Sequence, residues 1–154
     1  MRNPFNHPAW IDISLLLGRI LMGLYMLLAG WNKMRKGIPD FVNGDFSKMR
    51  PEWLSESLAT PYGYALPFLE LLGGLMLILG LFTRPAAGVL TLVLLSISIA
   101  QINANGITGI SGDGPPFHHA FVMTAMCLML SIIGSGRLAL DPLYFAPGGG
   151  GGKK

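Results

Sequence analysis

Two ionisable side chains occur inside apolar stretches of this sequence. Arg19 lies within the run LGRILMGLYMLLAGW, and Glu70 lies within the run ALPFLELLGGLMLILG. A charged side chain at the centre of a bilayer costs about 3 kcal/mol on insertion scales, so such a residue needs a structural or functional reason. If the two runs form antiparallel neighbouring helices, Arg19 and Glu70 are expected to form an ion pair that keeps the carboxylate charged. Such a pair either holds two helices together or belongs to a binding site.

Two adjacent histidines, His118 and His119, open the last apolar stretch of the chain. Neighbouring helical positions diverge by about 100°, so one of the two points into the helical bundle. A neutral imidazole inside the bundle can donate a hydrogen bond to a quinone carbonyl or relay a proton. The alternative interpretation is that the histidines lie at the membrane interface and have no chemical role. Adjacent histidines lack the i, i+4 spacing that places two ligands on one helical face, so no metal site is predicted.

Other polar residues are expected at the same end of the bundle as these histidines. The candidates for catalysis are Glu70, His118 and His119. The candidates for contact with a cofactor are Arg19, Tyr64, Gln101 and Asn103. No cofactor motif is recognised, and a quinone is the cofactor that these groups suit.

The composition places these residues in a membrane protein. The chain has 154 residues, of which 51% are hydrophobic and 12% are charged, against about 25% charged residues in soluble domains. Its mean hydropathy is +0.52. Four apolar runs, at residues 11–31, 64–82, 86–102 and 117–134, approach the roughly 20 residues that cross a bilayer as a helix. The sequence therefore predicts an all-α integral membrane four-helix bundle with both termini on one side.

The connections between the predicted helices differ in length. A long interfacial loop at residues 32–63 is predicted to contain a short amphipathic helix at residues 51–58. Residues 83–85 are predicted to form a tight turn, and Pro67 is expected in the first turn of the second helix, where proline is tolerated. Residues 1–147 form a single predicted domain, followed by a flexible Gly/Lys tail at residues 148–154.

The cationic residues are scattered and flank the predicted helices, which indicates lipid headgroups as their partners and gives no sign of nucleic-acid binding. Five lie on each side of the predicted membrane: Arg2, Arg84, Arg137, Lys153 and Lys154 on one, and Lys33, Arg35, Lys36, Lys48 and Arg50 on the other. Because the two counts of cationic residues are equal, they do not predict the orientation of the protein in the membrane. Cys127, the only cysteine, is expected to pack as a small hydrophobic residue.

Three segments together resemble the DoxX family of small four-helix membrane proteins. These are LGRILMGLYMLLAGWNKM, PYGYALPFLELLGGLMLILGLFTRPAA and GSGRLALDPL. The family includes relatives of the DoxD-type subunit of thiosulfate:quinone oxidoreductase, so the resemblance implies a membrane fold and an association with redox systems. It highlights Arg19, Glu70, Arg84, Arg137 and Asp141. Arg137 and Asp141, at i, i+4, are expected to form a local ion pair.

Two functions follow from this resemblance and from the residues. In the first, the protein is an accessory subunit that stabilises a larger membrane redox complex and has no catalysis of its own; a closed core would fit this role. In the second, it is a quinone-interacting oxidoreductase subunit with a polar site around Arg19, Glu70 and His118 or His119, and a cavity would fit. In both, we expect the bacterial cytoplasmic membrane as the location, cytoplasmic termini and further membrane subunits as partners.

Overall fold

The computed structural model describes residues 9–105, 119–136 and 138–140, and the regular elements within these ranges are all helices. In chain order they are α1 (Ala9–Lys36), α2 (Ile38–Phe41), a π-helical turn (Val42–Phe46), α3 (Ser47–Met49), α4 (Glu56–Leu79), α5 (Thr83–Asn105) and α6 (His119–Ile133). The predictions made for His118, Arg137, Asp141 and the tail at residues 148–154 concern residues outside these ranges.

Helices α1 and α4 are antiparallel and form the most extensive interface of the bundle. Glycines bring the two backbones together: a β-carbon at Gly23 would lie 2.7 Å from the carbonyl oxygen of Gly74, and one at Gly30 would lie 2.6 Å from that of Pro67. Lipid provides no hydrophobic drive for helix association, so close packing of this kind is what holds membrane helices together. The contacts fix the register of α1 against α4.

Helix α4 begins eight residues before the predicted start at Tyr64, which changes the position of its prolines. Pro61 and Pro67 both lie inside the helix. The expectation that Pro67 occupies the first turn is therefore wrong. An interior proline removes one intrahelical hydrogen bond, and neighbouring helices make such positions tolerable in membranes.

The turn between α4 and α5 lies a few residues earlier than predicted. Gly80 ends α4 in the left-handed conformation with φ 66°, and Phe82 also has a positive φ of 49°. Thr83 then begins α5, so residues 83–85 belong to its first turn. Proline is well tolerated there because the first helical amides have no intrahelical acceptor.

Much of the predicted loop at residues 32–63 is helical, because α1 extends to Lys36 and α4 starts at Glu56. The amphipathic helix expected at residues 51–58 is misplaced. The short helical turns lie at residues 38–49 instead, and Leu54 donates to the carbonyl of Pro51 at 3.0 Å in a separate turn. Phe41 and Val42 of this segment are buried in the core cluster, so hydrophobic residues fold the segment onto the bundle.

Three helices, α1, α4 and α5, are long and apolar enough to cross a membrane. The fourth predicted span corresponds to α6, an apolar helix of 15 residues in the described part of the chain. Helix α6 packs mainly against α5 and also contacts α1. The large exposed side chains on these helices include Leu17, Leu21, Leu28, Leu72 and Leu92, which suit contact with lipid tails.

The start of α1 and the end of α6 lie at the same end of the bundle. A β-carbon at Gly136 would lie 3.2 Å from Oδ1 of Asp12 and 3.2 Å from Leu15. Cys127 is fully buried among the core side chains, which confirms its expected place in the packing.

Candidate functional site

A buried ion pair joins Lys33, near the end of α1, to Glu70, in the middle of α4. The ammonium donates to both carboxylate oxygens, at 2.8 Å to Oε1 and 2.6 Å to Oε2. Glu70 is 1% exposed and the Lys33 side chain is 21% exposed. The Lys33 ammonium also lies 5.5 Å from the centre of the Phe41 ring, a favourable cation–π distance. Lys33 therefore lies between the bundle interior and its surface.

The ion pair predicted between Arg19 and Glu70 is wrong. In the observed register Arg19 lies level with Gly80, where a β-carbon would be 2.8 Å from the guanidinium carbon. Glu70 lies ten positions before Gly80 in α4, near the level of Gly30, whose β-carbon would contact Pro67 and Leu71. Ten residues of helix separate Arg19 from that level, or about 15 Å along the axis, which exceeds the reach of the two side chains. The prediction failed because it began α4 at Tyr64 and thereby placed Glu70 too close to Arg19 in depth.

A partly open cavity of about 300 Å³ lies beside the Lys33–Glu70 pair. It is bounded by α1, α4, α5, the start of α6 and the segment between α1 and α4. Most of the lining is apolar, with Met26, Leu66, Leu94, Ile97 and Ala100 among its residues. The volume is at the lower end of the range for small-molecule sites, about 300–1,000 Å³. We call it the inner cavity.

A few polar groups interrupt the apolar lining of the inner cavity. The hydroxyl groups of Tyr62 and Ser96 are hydrogen-bonded to each other across α4 and α5. The ring of Tyr25 makes an edge-on contact with that of His119, with centroids 5.6 Å apart and an interplanar angle of 77°. Gln101 donates to the sulfur of Met49 at 2.9 Å. Apolar walls with sparse polar groups are typical of pockets that bind an amphipathic molecule.

The predicted site residues divide between this cavity and other places. Glu70, His119 and Gln101 line the inner cavity. Arg19 lies at the other end of the bundle, and Tyr64 is 40% exposed on the outside of α4. Asn103 is exposed near the end of α5 and is not among the residues that line the cavity.

Lys33, Tyr25 and Ser96 also line the cavity but were absent from the predicted site. Lys33 was assigned to the loop as a lipid anchor because α1 was ended too early. The apolar run ends at Trp31, two residues before Lys33, and this was taken as the helix end. The helix-terminating residue is Gly37, with φ 94°. That glycine was the signal that extends α1 past Lys33.

A second cavity lies next to the first on the surface side and is about 470 Å³ in volume. We call it the outer cavity. Its lining includes Lys33, Phe41 and Met49, which it shares with the inner cavity. The other four lining residues are all polar: Asn32, Lys36, Asp45 and Lys48. Glu70 lines only the inner cavity, so the Lys33 ammonium is its direct link to the outer one.

Arginine side chains organise the opposite end of the bundle. Arg19 is 2% exposed, and its guanidinium group donates to the carbonyls of Ser135 at 2.8 Å and Leu138 at 2.7 Å. Arg84 donates to the carbonyl of Ile133 at 3.4 Å, at the C-terminal end of α6. Both arginines thus supply donors to carbonyls that follow or end α6, a structural role.

No group of three or more His, Cys, Asp or Glu residues within the described ranges is arranged to hold a metal ion. The chemistry that the site offers is hydrogen bonding and proton exchange. Glu70 can accept or donate a proton, and Lys33 can supply a new proton to Glu70. The hydroxyl groups of Tyr25 and Tyr62 can donate hydrogen bonds. These groups surround an apolar space, which is the arrangement expected for a lipophilic molecule with a polar head.

The helices and the cavity define a multi-pass α-helical membrane protein with a largely apolar site that has a buried ion pair in its wall. The DoxX family model matches residues 14–101, more than half of the chain. The chain belongs to the DoxX family, which confirms the resemblance seen in the sequence. No curated protein and no solved structure matches it significantly.

Proposed function

We propose that this protein is a membrane subunit of a redox complex and that it holds a quinone in the inner cavity. One observation carries the proposal: an apolar cavity of about 300 Å³ has a buried Lys–Glu pair in its wall. A closed core would have favoured a purely accessory role. The cavity favours the quinone-interacting role instead.

The chemistry of a quinone matches the two kinds of surface in this cavity. Its ring and tail are apolar and suit Met26, Leu66, Leu94 and their neighbours. Its carbonyl oxygens accept hydrogen bonds, and its reduction consumes protons. A buried carboxyl group next to an ammonium group is an arrangement that can supply protons within an apolar site.

The electrons in this proposal come from another protein. Cys127 is the only cysteine of the chain and is buried, so an internal dithiol cannot provide them. The accessory role expected from the sequence is retained in this form: the subunit contributes the quinone site, and its partner contributes the electron carrier. We place the complex in the bacterial cytoplasmic membrane with both termini of this chain in the cytoplasm.

Binding of decylubiquinone to the full chain in lipid nanodiscs tests the quinone site. We expect saturable binding of one molecule per chain above the partition into empty nanodiscs. Ala29→Phe, in the wall of the inner cavity, should weaken the binding at least tenfold because the added ring fills the space. Ala65→Phe is the matched control, because Ala65 is exposed on α4 and does not line the cavity.

Binding that does not saturate, or that is equally strong in Ala29→Phe, would contradict the quinone site.

Purification in mild detergent from native membranes tests the partner. A redox protein that co-purifies with the chain and stays bound to Ala29→Phe would support a shared complex, whereas a chain recovered only by itself would count against it.

A further inference from the structure

We infer that Lys33 is a proton-exchange residue, which passes protons from the outer cavity through Glu70 to the molecule held in the inner cavity. This inference rests on the proposed quinone site and adds the route by which its protons arrive. The observation behind it is the position of one ammonium group in the wall of two cavities.

The geometry of the Lys33–Glu70 pair sets the route. Glu70 is 1% exposed, so its carboxyl group has almost no direct contact with solvent. Both carboxylate oxygens accept hydrogen bonds from Lys33, at 2.8 and 2.6 Å. The Lys33 side chain, at 21% exposure, lines the outer cavity as well as the inner one. A proton on its nitrogen is therefore one hydrogen bond from Glu70 and also within reach of the outer cavity.

Other titratable groups face the same space from the neighbouring elements. Tyr25 lies on α1, Tyr62 on α4, His119 on α6 and Arg50 in the segment before α4. The hydrogen bond of Tyr62 goes to Ser96, and Tyr25 contacts the His119 ring. Among the titratable residues that the structure describes around the inner cavity, Lys33 alone both hydrogen-bonds to Glu70 and lines the outer cavity.

The lining of the outer cavity suits its part in this route. Asn32, Lys36, Asp45 and Lys48 provide a polar surface that can be hydrated. Lys36 and Asp45 are separated by 3.4 Å and are 68% and 54% exposed, so they form a weak surface pair. Water in this cavity can reach the Lys33 nitrogen without entering the apolar site.

The proton steps balance with the reduction of a quinone. The quinone takes two electrons, from a reduced flavin or iron–sulfur carrier of the partner subunit, and two protons, and becomes the quinol. For each proton, an N–H bond of the Lys33 ammonium breaks and an O–H bond forms on Glu70. The Glu70 O–H bond then breaks as an O–H bond forms on the quinone oxygen. The neutral Lys33 amine takes a proton from hydrated protons in the outer cavity, which restores the initial pair.

Lys33→Arg separates proton exchange from charge pairing. A guanidinium keeps the positive charge and can hydrogen-bond to both oxygens of a carboxylate, but it does not release its proton in proteins. Arg35→Lys is the control, because Arg35 is exposed on α1 and lines neither cavity. Lys33→Ala, studied with and without added propylamine, is a second variant that does not require arginine to fit.

The measurement is voltammetry of the full chain in lipid films on an electrode, with decylubiquinone below the protein concentration. The electrode replaces the partner as the source of electrons, and empty lipid films give the background. We expect the proton-coupled reduction of the bound quinone to be at least tenfold slower in Lys33→Arg and in Lys33→Ala, with unchanged binding in Lys33→Arg. Propylamine should restore at least half of the rate in Lys33→Ala, and Arg35→Lys should match the wild type.

Each result decides between the proposals. The proton route is wrong if Lys33→Arg reduces the quinone at the rate of the wild type, or if propylamine does not rescue Lys33→Ala. Neither result contradicts the quinone site. If the wild-type chain shows no saturable decylubiquinone binding and no wave above the lipid background, the quinone site and the proton route both fail. If Lys33→Arg loses binding, the rescue of Lys33→Ala by propylamine decides the role of Lys33.

Discussion

At the scale of single residues, the buried Arg19 side chain stabilises the backbone that follows helix α6. After α6 the chain turns at Gly134 and Gly136, with φ 94° and 72°. The carbonyls of Ser135 and Leu138 lie outside any helix there, and unsatisfied carbonyls are costly where water is excluded. Arg19 donates to both. Its fixed, planar fork of N–H groups can meet two acceptors at once, which an ammonium group cannot do with the same geometry.

Arg19→Lys should destabilise the fold. Loss of one charge-assisted hydrogen bond to a carbonyl is expected to cost about 1.5–3 kcal/mol. The measurement is the apparent melting temperature in detergent, followed with a fluorogenic maleimide, because the single cysteine Cys127 is fully buried and reacts only on unfolding. Arg35→Lys, at an exposed position of α1, is the control. Equal melting temperatures for both variants would show that the carbonyl contacts of Arg19 contribute no stability.

At the scale of helices, the α1–α4 interface depends on glycines that meet across it. A β-carbon at Gly74 would lie 2.6 Å from both the carbonyl oxygen of Gly23 and the amide nitrogen of Leu27. These atoms belong to backbone, so they cannot turn aside as a flexible side chain would. The same interface positions Lys33 opposite the α4 turn that carries Glu70. Its close packing is therefore part of the geometry of the site.

Gly74→Ala should push α1 and α4 apart and lower the stability by about 1–3 kcal/mol, a usual cost of overpacking. Gly88→Ala is the control within α5, where the β-carbon would lie 3.4 Å from Oγ of Ser131. Both changes raise helix propensity equally, so the difference isolates the close contact. The Cys127 maleimide melt measures both. Decylubiquinone binding should weaken in Gly74→Ala and stay unchanged in Gly88→Ala; the same loss of stability in both variants would contradict this account of the interface.

Helix ends were the least predictable feature of the sequence, and they account for the misassigned ion pair. Hydropathy located the apolar cores of α1, α4 and α5 correctly, because about 20 apolar residues are needed to span lipid. It does not show where a helix continues beyond the membrane core. Helix α1 continues to Lys36 and α4 begins at Glu56. Lys33 therefore lies within α1, and Glu70 lies farther from Arg19 along the bundle than predicted.

At the scale of the whole molecule, the two ends of the bundle have different roles. The end that bears residues 37–55 contains both cavities and the Lys33–Glu70 pair. The opposite end contains Arg19 and Arg84, whose donors satisfy carbonyls around the end of α6. The sequence predicted that polar groups gather at the first end, and three of its candidates, Glu70, His119 and Gln101, line the inner cavity. A cavity was expected only for the quinone-interacting role, and its position and volume depend on how the helices and the intervening segment pack together.

The positions of the start of α1 and of the residues after α6 give a final prediction about topology. The start of α1 and the residues after α6 are close in space, so Trp10 and Leu138 should lie on one side of the membrane and Trp53 on the other. Each is exposed, at 67%, 49% and 73%. In a Cys127→Ser background, Trp10→Cys, Leu138→Cys and Trp53→Cys can be probed in bacteria with a membrane-impermeant maleimide. We expect intact cells to label only Trp53→Cys, and inside-out vesicles to label only the other two. Labelling of Trp10→Cys and Leu138→Cys from opposite sides would refute an even number of crossings, whereas labelling of both from outside would reverse the proposed orientation and place the outer cavity in the cytoplasm.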